Sequence, residues 1–232
     1  MKKSVLLLVI LLLPALIYLF FSTGKHGFMH LPIYYPEDAK TSIVDGKEKT
    51  DTVYHTIPPF RFIDQDGDSI SEKNFEDKVF VANFFFTTCP SICPKMMSEM
   101  RRLHEATAKT DDLLIISHSV NPIHDSVPVL AEYAKLIHAD SKKWMLVTGN
   151  KKDIYDMAGV DGYKLAVGED ASAPGGFFHS EMMILVDKNK RIRGYYDGTD
   201  STQVNKLIND IKILSAEYLS KTAKPDLYQK HE

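Results

Sequence analysis

The sequence predicts an α/β domain built on a mixed, mostly parallel sheet flanked by helices. Two long apolar runs, 79–86 and 113–119, suit strands buried on both faces. Helical patterns separate these runs from each other and from a third short apolar run at 144–147. A hairpin, 182–186 and 192–196 around Asp187-Lys188-Asn189-Lys190, and a last helix close the series.

Taken in order, Lys2 and Lys3 precede an unbroken apolar run over 5–21. As a helix at about 1.5 Å per residue it reaches roughly 26 Å, near the ~30 Å hydrocarbon core of a bilayer. Residues 1–21 are therefore expected to be a transmembrane anchor, with the lysines holding the N-terminus on the cytoplasmic side and the rest of the chain exported. The competing reading is a cleaved signal peptide, with Ser22 and Gly24 as small residues near a cleavage site. Residues 22–54 carry Gly24, Gly27, Pro32, Pro36 and Gly46 with little apolar periodicity, and are expected to be an extracytoplasmic spacer. The domain proper is expected over 55–220, followed by a polar tail at 221–232.

Within the domain, 60–63 is a short strand and Asp64-Gln65-Asp66-Gly67 the turn after it. A helix is expected from Pro94 to about residue 109, since proline suits a first helical turn. Others follow at 127–137, at 151–159 with Gly159 at its end, and at 204–219. This order fits a thioredoxin-like architecture.

The composition is that of a globular protein with a real core, 44% apolar and 25% charged, and the formal net charge is −3. No basic cluster stands out beyond the first residues, which argues against nucleic acid as a partner.

The chemistry concentrates at Thr87-Thr88-Cys89-Pro90-Ser91-Ile92-Cys93-Pro94, where a buried strand gives way to a helix. In an exported domain, Cys89 and Cys93 are a structural disulfide, a redox pair or metal ligands. A bridge over so short a loop adds little chain-entropy stabilisation, which disfavours the first. Cys93 falls at the expected helix N-terminus, where free N–H groups favour a thiolate. The spacing is C-x3-C, not the C-x2-C of thioredoxin-type oxidoreductases.

The stretch Phe86-Thr87-Thr88-Cys89-Pro90-Ser91-Ile92-Cys93-Pro94 resembles the signature of the Sco/SenC family. Asp64-Gln65-Asp66-Gly67, Ser119-Val120-Asn121-Pro122, Leu146-Val147-Thr148-Gly149 and His179-Ser180 before Ile184-Leu185-Val186-Asp187 follow in the family's order. The resemblance covers about 55–219. It implies a thioredoxin-like, membrane-tethered copper chaperone that helps assemble the binuclear copper centre of cytochrome c oxidase. It further implies Cys89, Cys93 and His179 as the metal ligands, with Cu(I) or Cu(II) as the ion. Two thiolates and an imidazole suit soft Cu(I), although zinc would accept the same donors plus one more. The implied partners are the copper-site domain of the oxidase and a copper donor or thiol reductant. Where the family commonly has an acidic residue, this chain has Asn121, with Asp125 four residues on.

The rival function is a thiol–disulfide oxidoreductase that reduces the target's cysteines; a peroxide-reducing enzyme is weaker still, since nothing marks a peroxide pocket. The 162–178 segment, rich in Gly, Ala and Pro, is expected to be a loop that lets His179 move toward or away from the cysteines. Met96, Met97 and Met100 are expected in the core, and Asp64, Asp66 and Asp68 in a turn rather than a calcium site. His118, His124, His26, His30 and Met29 are weaker ligand candidates.

Overall fold

The computed structural model describes residues 12–13, 30–44 and 47–223. The chain divides into two compact units, 1–30 and 31–232. The apolar run at 5–21 lies outside the described residues except for Leu12 and Leu13, which are helical. Among the described residues no helix is long and apolar enough to cross a membrane. The expected tail lies outside them from residue 224.

The second unit is organised on a five-stranded sheet. In chain order its elements are β1 (Pro36–Val44), β2 (Lys47–Tyr54), β3 (Arg61–Ile63), β4 (Ser69–Ser71), β5 (Val79–Phe85), α1 (Ile92–Ala106), β6 (Leu113–Ser119), α2 (Val127–Ile137), β7 (Trp144–Val147) and α3 (Lys151–Ala158). There follow β8 (Gly168–Glu169), β9 (Phe177–Phe178), β10 (Met182–Val186), β11 (Ile192–Asp197) and α4 (Ser201–Ala223). The main sheet runs β11-β10-β5-β6-β7. β5, β6 and β7 are parallel, whereas β10 pairs antiparallel with β5 and β11 antiparallel with β10. Every residue of β5 is buried, as its apolar run requires when both faces are covered.

Local chemistry sets the ends of these elements. The Asn150 side chain accepts from the Lys152 and Asp153 N–H groups at the start of α3. Pro128 sits in the first turn of α2, which ends on His138 in the left-handed conformation. α1 begins two residues before Pro94, so the proline occupies the first turn, where no N–H is needed.

One polar chain crosses the apolar centre. Asn83, midway along β5, accepts from Ser117 Oγ at 2.6 Å and donates to Met96 Sδ at 3.8 Å, and Trp144 Nε1 donates to Ser117 Oγ at 2.9 Å. Buried polar groups persist only when satisfied.

The expected spacer contains structure of its own. β1 and β2 form a two-stranded antiparallel hairpin that carries no continuous apolar face, which is why hydrophobic periodicity did not reveal it. The segments flanking it are stitched to the domain. Tyr34 N donates to Ile192 O at 3.0 Å and Ile57 N to Lys190 O at 2.8 Å, while Leu31 and Tyr35 pack on the core. Arg193, only 1% exposed, bonds Asp187, Glu217 and the Pro32 and Leu31 carbonyls.

Candidate metal centre

Cys89 lies in the turn after β5, Cys93 in the first turn of α1, and His179 between β9 and β10. The sheet makes these neighbours, because β10 pairs directly with β5 and so brings the segment before it to the end of β5 where the cysteine loop begins. His179 Nε2 is 2.9 Å from Cys93 Sγ and 4.0 Å from Cys89 Sγ. The three donor atoms lie within 4.8 Å of one another, and all three residues are buried. Two sulfurs sharing one ion at about 2.3 Å stand roughly 3.8–4.0 Å apart, which a cluster within 4.8 Å accommodates. Both cysteines are free thiols.

The imidazole is prepared as a donor. Its Nδ1 is 3.1 Å from Ser180 O, which accepts only, so the proton sits on Nδ1 and the Nε2 lone pair faces the sulfurs. Burial holds the ring below the ordinary histidine range, against smaller opposing effects from the Ser180 carbonyl and Glu181, and keeps it neutral. Phe86 meets the ring edge-on at 5.6 Å and fixes its plane.

The two thiols differ. Burial raises Cys89, but hydrogen bonds from Ser91 and Cys93, their backbone N–H groups first and their side chains after, together outweigh it and leave the thiol below its usual range. Burial pushes the Cys93 thiol far up, and the nearby Cys89 and Asp125 add to it. This corrects the expectation that Cys93 would be the thiolate. The N–H groups of the helix start converge on the sulfur ahead of the helix, while Cys93 itself is inside the apolar core at 1% exposure. Cys93 accordingly keeps its proton in the metal-free form and donates it to His179 Nε2.

A buried carboxylate, Asp125, supports the cysteine loop. Fully buried, its Oδ2 accepts from Thr87 N at 3.0 Å and Ser119 Oγ at 2.6 Å, and its Oδ1 accepts from Thr87 Oγ1 at 2.5 Å. It thus pins the backbone two residues before Cys89. The sequence flags Asp125 but not its partners, because Thr87 is 38 residues away along the chain.

The loop before His179 is more ordered than its composition suggested. β8 and β9 form a small antiparallel pair closed by a 3-10 turn at Pro174–Gly176. Gly175 has φ +79, and a Cβ there would lie 2.8 Å from Phe86 Cε2 and 3.4 Å from Pro90 Cδ. The loop is pressed against the cysteine segment, and Phe177 packs on Phe86 at 5.2 Å.

The other flagged residues stand apart from the cluster. His124 Nδ1 is 2.9 Å from Asp125 Oδ1, making it a support for that carboxylate. His118 is fully buried among Phe62, Phe84 and Tyr163, and neither ring nitrogen has a hydrogen-bond partner. Met96, Met97 and Met100 are core residues, and Asp64 Oδ1 accepts from the Asp66 and Asp68 N–H groups as a turn. His26 and Met29 lie outside the described residues, and His30 is exposed.

Several known proteins are similar to this chain. The SCO1 protein homolog of Bacillus subtilis is 29% identical over 175 residues, 73% of this chain and 88% of that protein. A protein of Stutzerimonas stutzeri named for copper binding is 26% identical over 141 residues, 60% of this chain and 68% of its own length. The structure of BsSco, described as a member of the Sco family of cytochrome c oxidase assembly proteins with a disulfide switch, superposes with a TM-score of 0.61. It is 26% identical, over 78% of this chain and 98% of that one. The family model SCO1/SenC matches residues 48–215. With a buried Cys-Cys-His cluster at the end of β5 and this match across most of its length, the chain belongs to the SCO1/SenC family.

Proposed function

We propose that this protein is a copper metallochaperone that delivers its ion to the copper-site domain of a cytochrome c oxidase, with Cys89, Cys93 and His179 as the ligands. The observation that carries the reading is the convergence of two sulfurs and an unprotonated Nε2 within 4.8 Å in a buried pocket. Soft donors at three-coordinate spacing suit Cu(I), and the copper-binding name of the Stutzerimonas relative supports the same ion. The oxidase as recipient rests on the family and on the description of BsSco. The apolar run at 5–21 and the lysines before it support a tethered domain on the extracytoplasmic side. A copper donor or a thiol reductant is then needed to load the site.

A second reading is favoured by the lowered Cys89 thiol, which is the group an attacking dithiol needs. Here Cys89 attacks a target disulfide and Cys93 resolves the mixed disulfide. The target leaves as a dithiol and this domain as a Cys89–Cys93 disulfide.

His179→Ala separates the two. Delivery requires the imidazole, so the variant is expected to lose copper to a competing chelator at least about tenfold more readily, because three soft donors fall to two. Dithiol exchange does not require it. A His179→Ala protein that cannot hold copper yet supports normal oxidase assembly would overturn delivery and establish the reductase.

A further inference from the structure

A groove of about 380 Å³ opens between α1 and α2 beside the metal centre. Cys89 lines it, and Cys93 and His179 do not. Its walls include Pro94, Met97, Tyr133 and Leu136. Leu136 is a large apolar side chain left 72% exposed, and Met97 is buried to 2%. Arg101 is the charged residue of the lining, its side chain 45% exposed and only loosely held by Glu105 at 3.9 Å.

An ion seated among donors that are 8%, 1% and 8% exposed cannot leave by diffusing into water without abandoning all three. It leaves by exchange, in which an incoming donor reaches the ion while the first ligand departs. Of the three, Cys89 is the ligand that lines the groove. The groove therefore leads an incoming chain directly to one of the three ligands. Its volume suits a short extended segment. A methionine thioether in an apolar wall adapts to varied side chains, and one guanidinium favours a carboxylate beside the apolar contact.

We propose that this groove is the docking site for the copper recipient, an extended segment of its metal-site domain that carries a soft donor with an acidic side chain close by. The assignment rests on the delivery reading. The experiment compares wild type with Leu136→Asp, Arg101→Glu and, as a control, Leu219→Asp. Leu219 on α4 is also 72% exposed and lies outside the groove lining. Two quantities are measured: Cu(I) affinity against a chromophoric chelator, and the rate of copper transfer to a purified, copper-free oxidase copper-site domain. Leu136→Asp and Arg101→Glu are expected to keep wild-type affinity and to slow transfer by about tenfold or more, as loss of an anchor and a steering charge does at an interface. Leu219→Asp is expected to change neither. Wild-type transfer rates in both groove variants overturn the docking site and leave delivery standing. Equal slowing by Leu219→Asp overturns it as well. Absence of transfer by the wild-type protein overturns the delivery reading, and the docking site falls with it.

Discussion

Cys89 and Cys93 share one helix start, yet their thiols are pushed in opposite directions, the first down by backbone N–H groups and the second up by burial. The expected consequence is ordered alkylation. Limiting iodoacetamide on the reduced, metal-free protein near neutral pH should label Cys89 first, with Cys93 following only on unfolding. Peptide mass spectrometry reads the order, and prior labelling at Cys93 would refute the assignment. His118 gives a pH dependence whose sign is fixed by its site. Burial among aromatic rings depresses its pKa from 6.5 to about 3, so the unfolded chain takes up a proton that the native fold refuses. Stability is full above about pH 6.5 and falls by about 1.4 kcal/mol per pH unit below it, until about pH 3. In His118→Leu this component should vanish. The difference in unfolding free energy between variant and wild type should therefore change by about 2 kcal/mol between pH 7 and 5, and a constant difference would exclude the mechanism.

At the scale of elements, the loop over 168–178 holds His179 by pressing Gly175 and Phe177 onto Phe86. Gly175→Ala adds a methyl where φ is +79 and the ring is 2.8 Å away, so the loop must move off the cysteine segment. The expected result is a loss of about 1–3 kcal/mol in stability, together with weaker metal binding while both sulfurs remain. Denaturant titration and chelator competition on one preparation check both parts. The reason this loop was not legible lies in its strands, which are two residues each and show no period. The β1–β2 hairpin leaves no signal for a related reason, since its residues from Asp38 to Thr52 are mostly charged or hydroxyl-bearing and, among the described residues, none is buried. By contrast, the runs at 113–119, 127–137, 144–147 and 182–186 coincide with β6, α2, β7 and β10, because each buries enough apolar surface to print its period in the sequence. At the site, the cysteine spacing and the strand–helix junction could be read directly. The direction of the thiol shifts could not, because it depends on which N–H groups point at which sulfur. Nor could Asp125 be linked to Thr87, since a tertiary hydrogen bond over 38 residues leaves no local signal.

For the molecule as a whole, Arg193 is the tie between parts distant in sequence. It joins the 31–32 segment, the β10–β11 turn at Asp187 and α4 at Glu217 from a fully enclosed position. Arg193→Leu removes the cation that bridges Asp187 and Glu217 and leaves the Leu31 and Pro32 carbonyls facing an apolar side chain, although Asp187 keeps Arg191. The expected cost is about 3–5 kcal/mol, the range for breaking a buried ion pair from one side. A urea midpoint within experimental error of the wild type would show that water replaces the guanidinium. The same tie predicts that truncation after residue 32 destabilises the domain more than truncation after residue 30.

The separation of the ligands along the chain has a mechanical consequence. Cys93 and His179 are 86 residues apart, so an ion held between them closes about half of the domain into one loop. Pulled from its two ends, the metal-free protein extends through that loop. With copper bound, the same pull must first rupture a coordinate bond, and until it does roughly 30 nm of contour, at about 3.5 Å per residue, stays hidden. Force spectroscopy should therefore show the loaded chain as a shorter tether that lengthens in a second step.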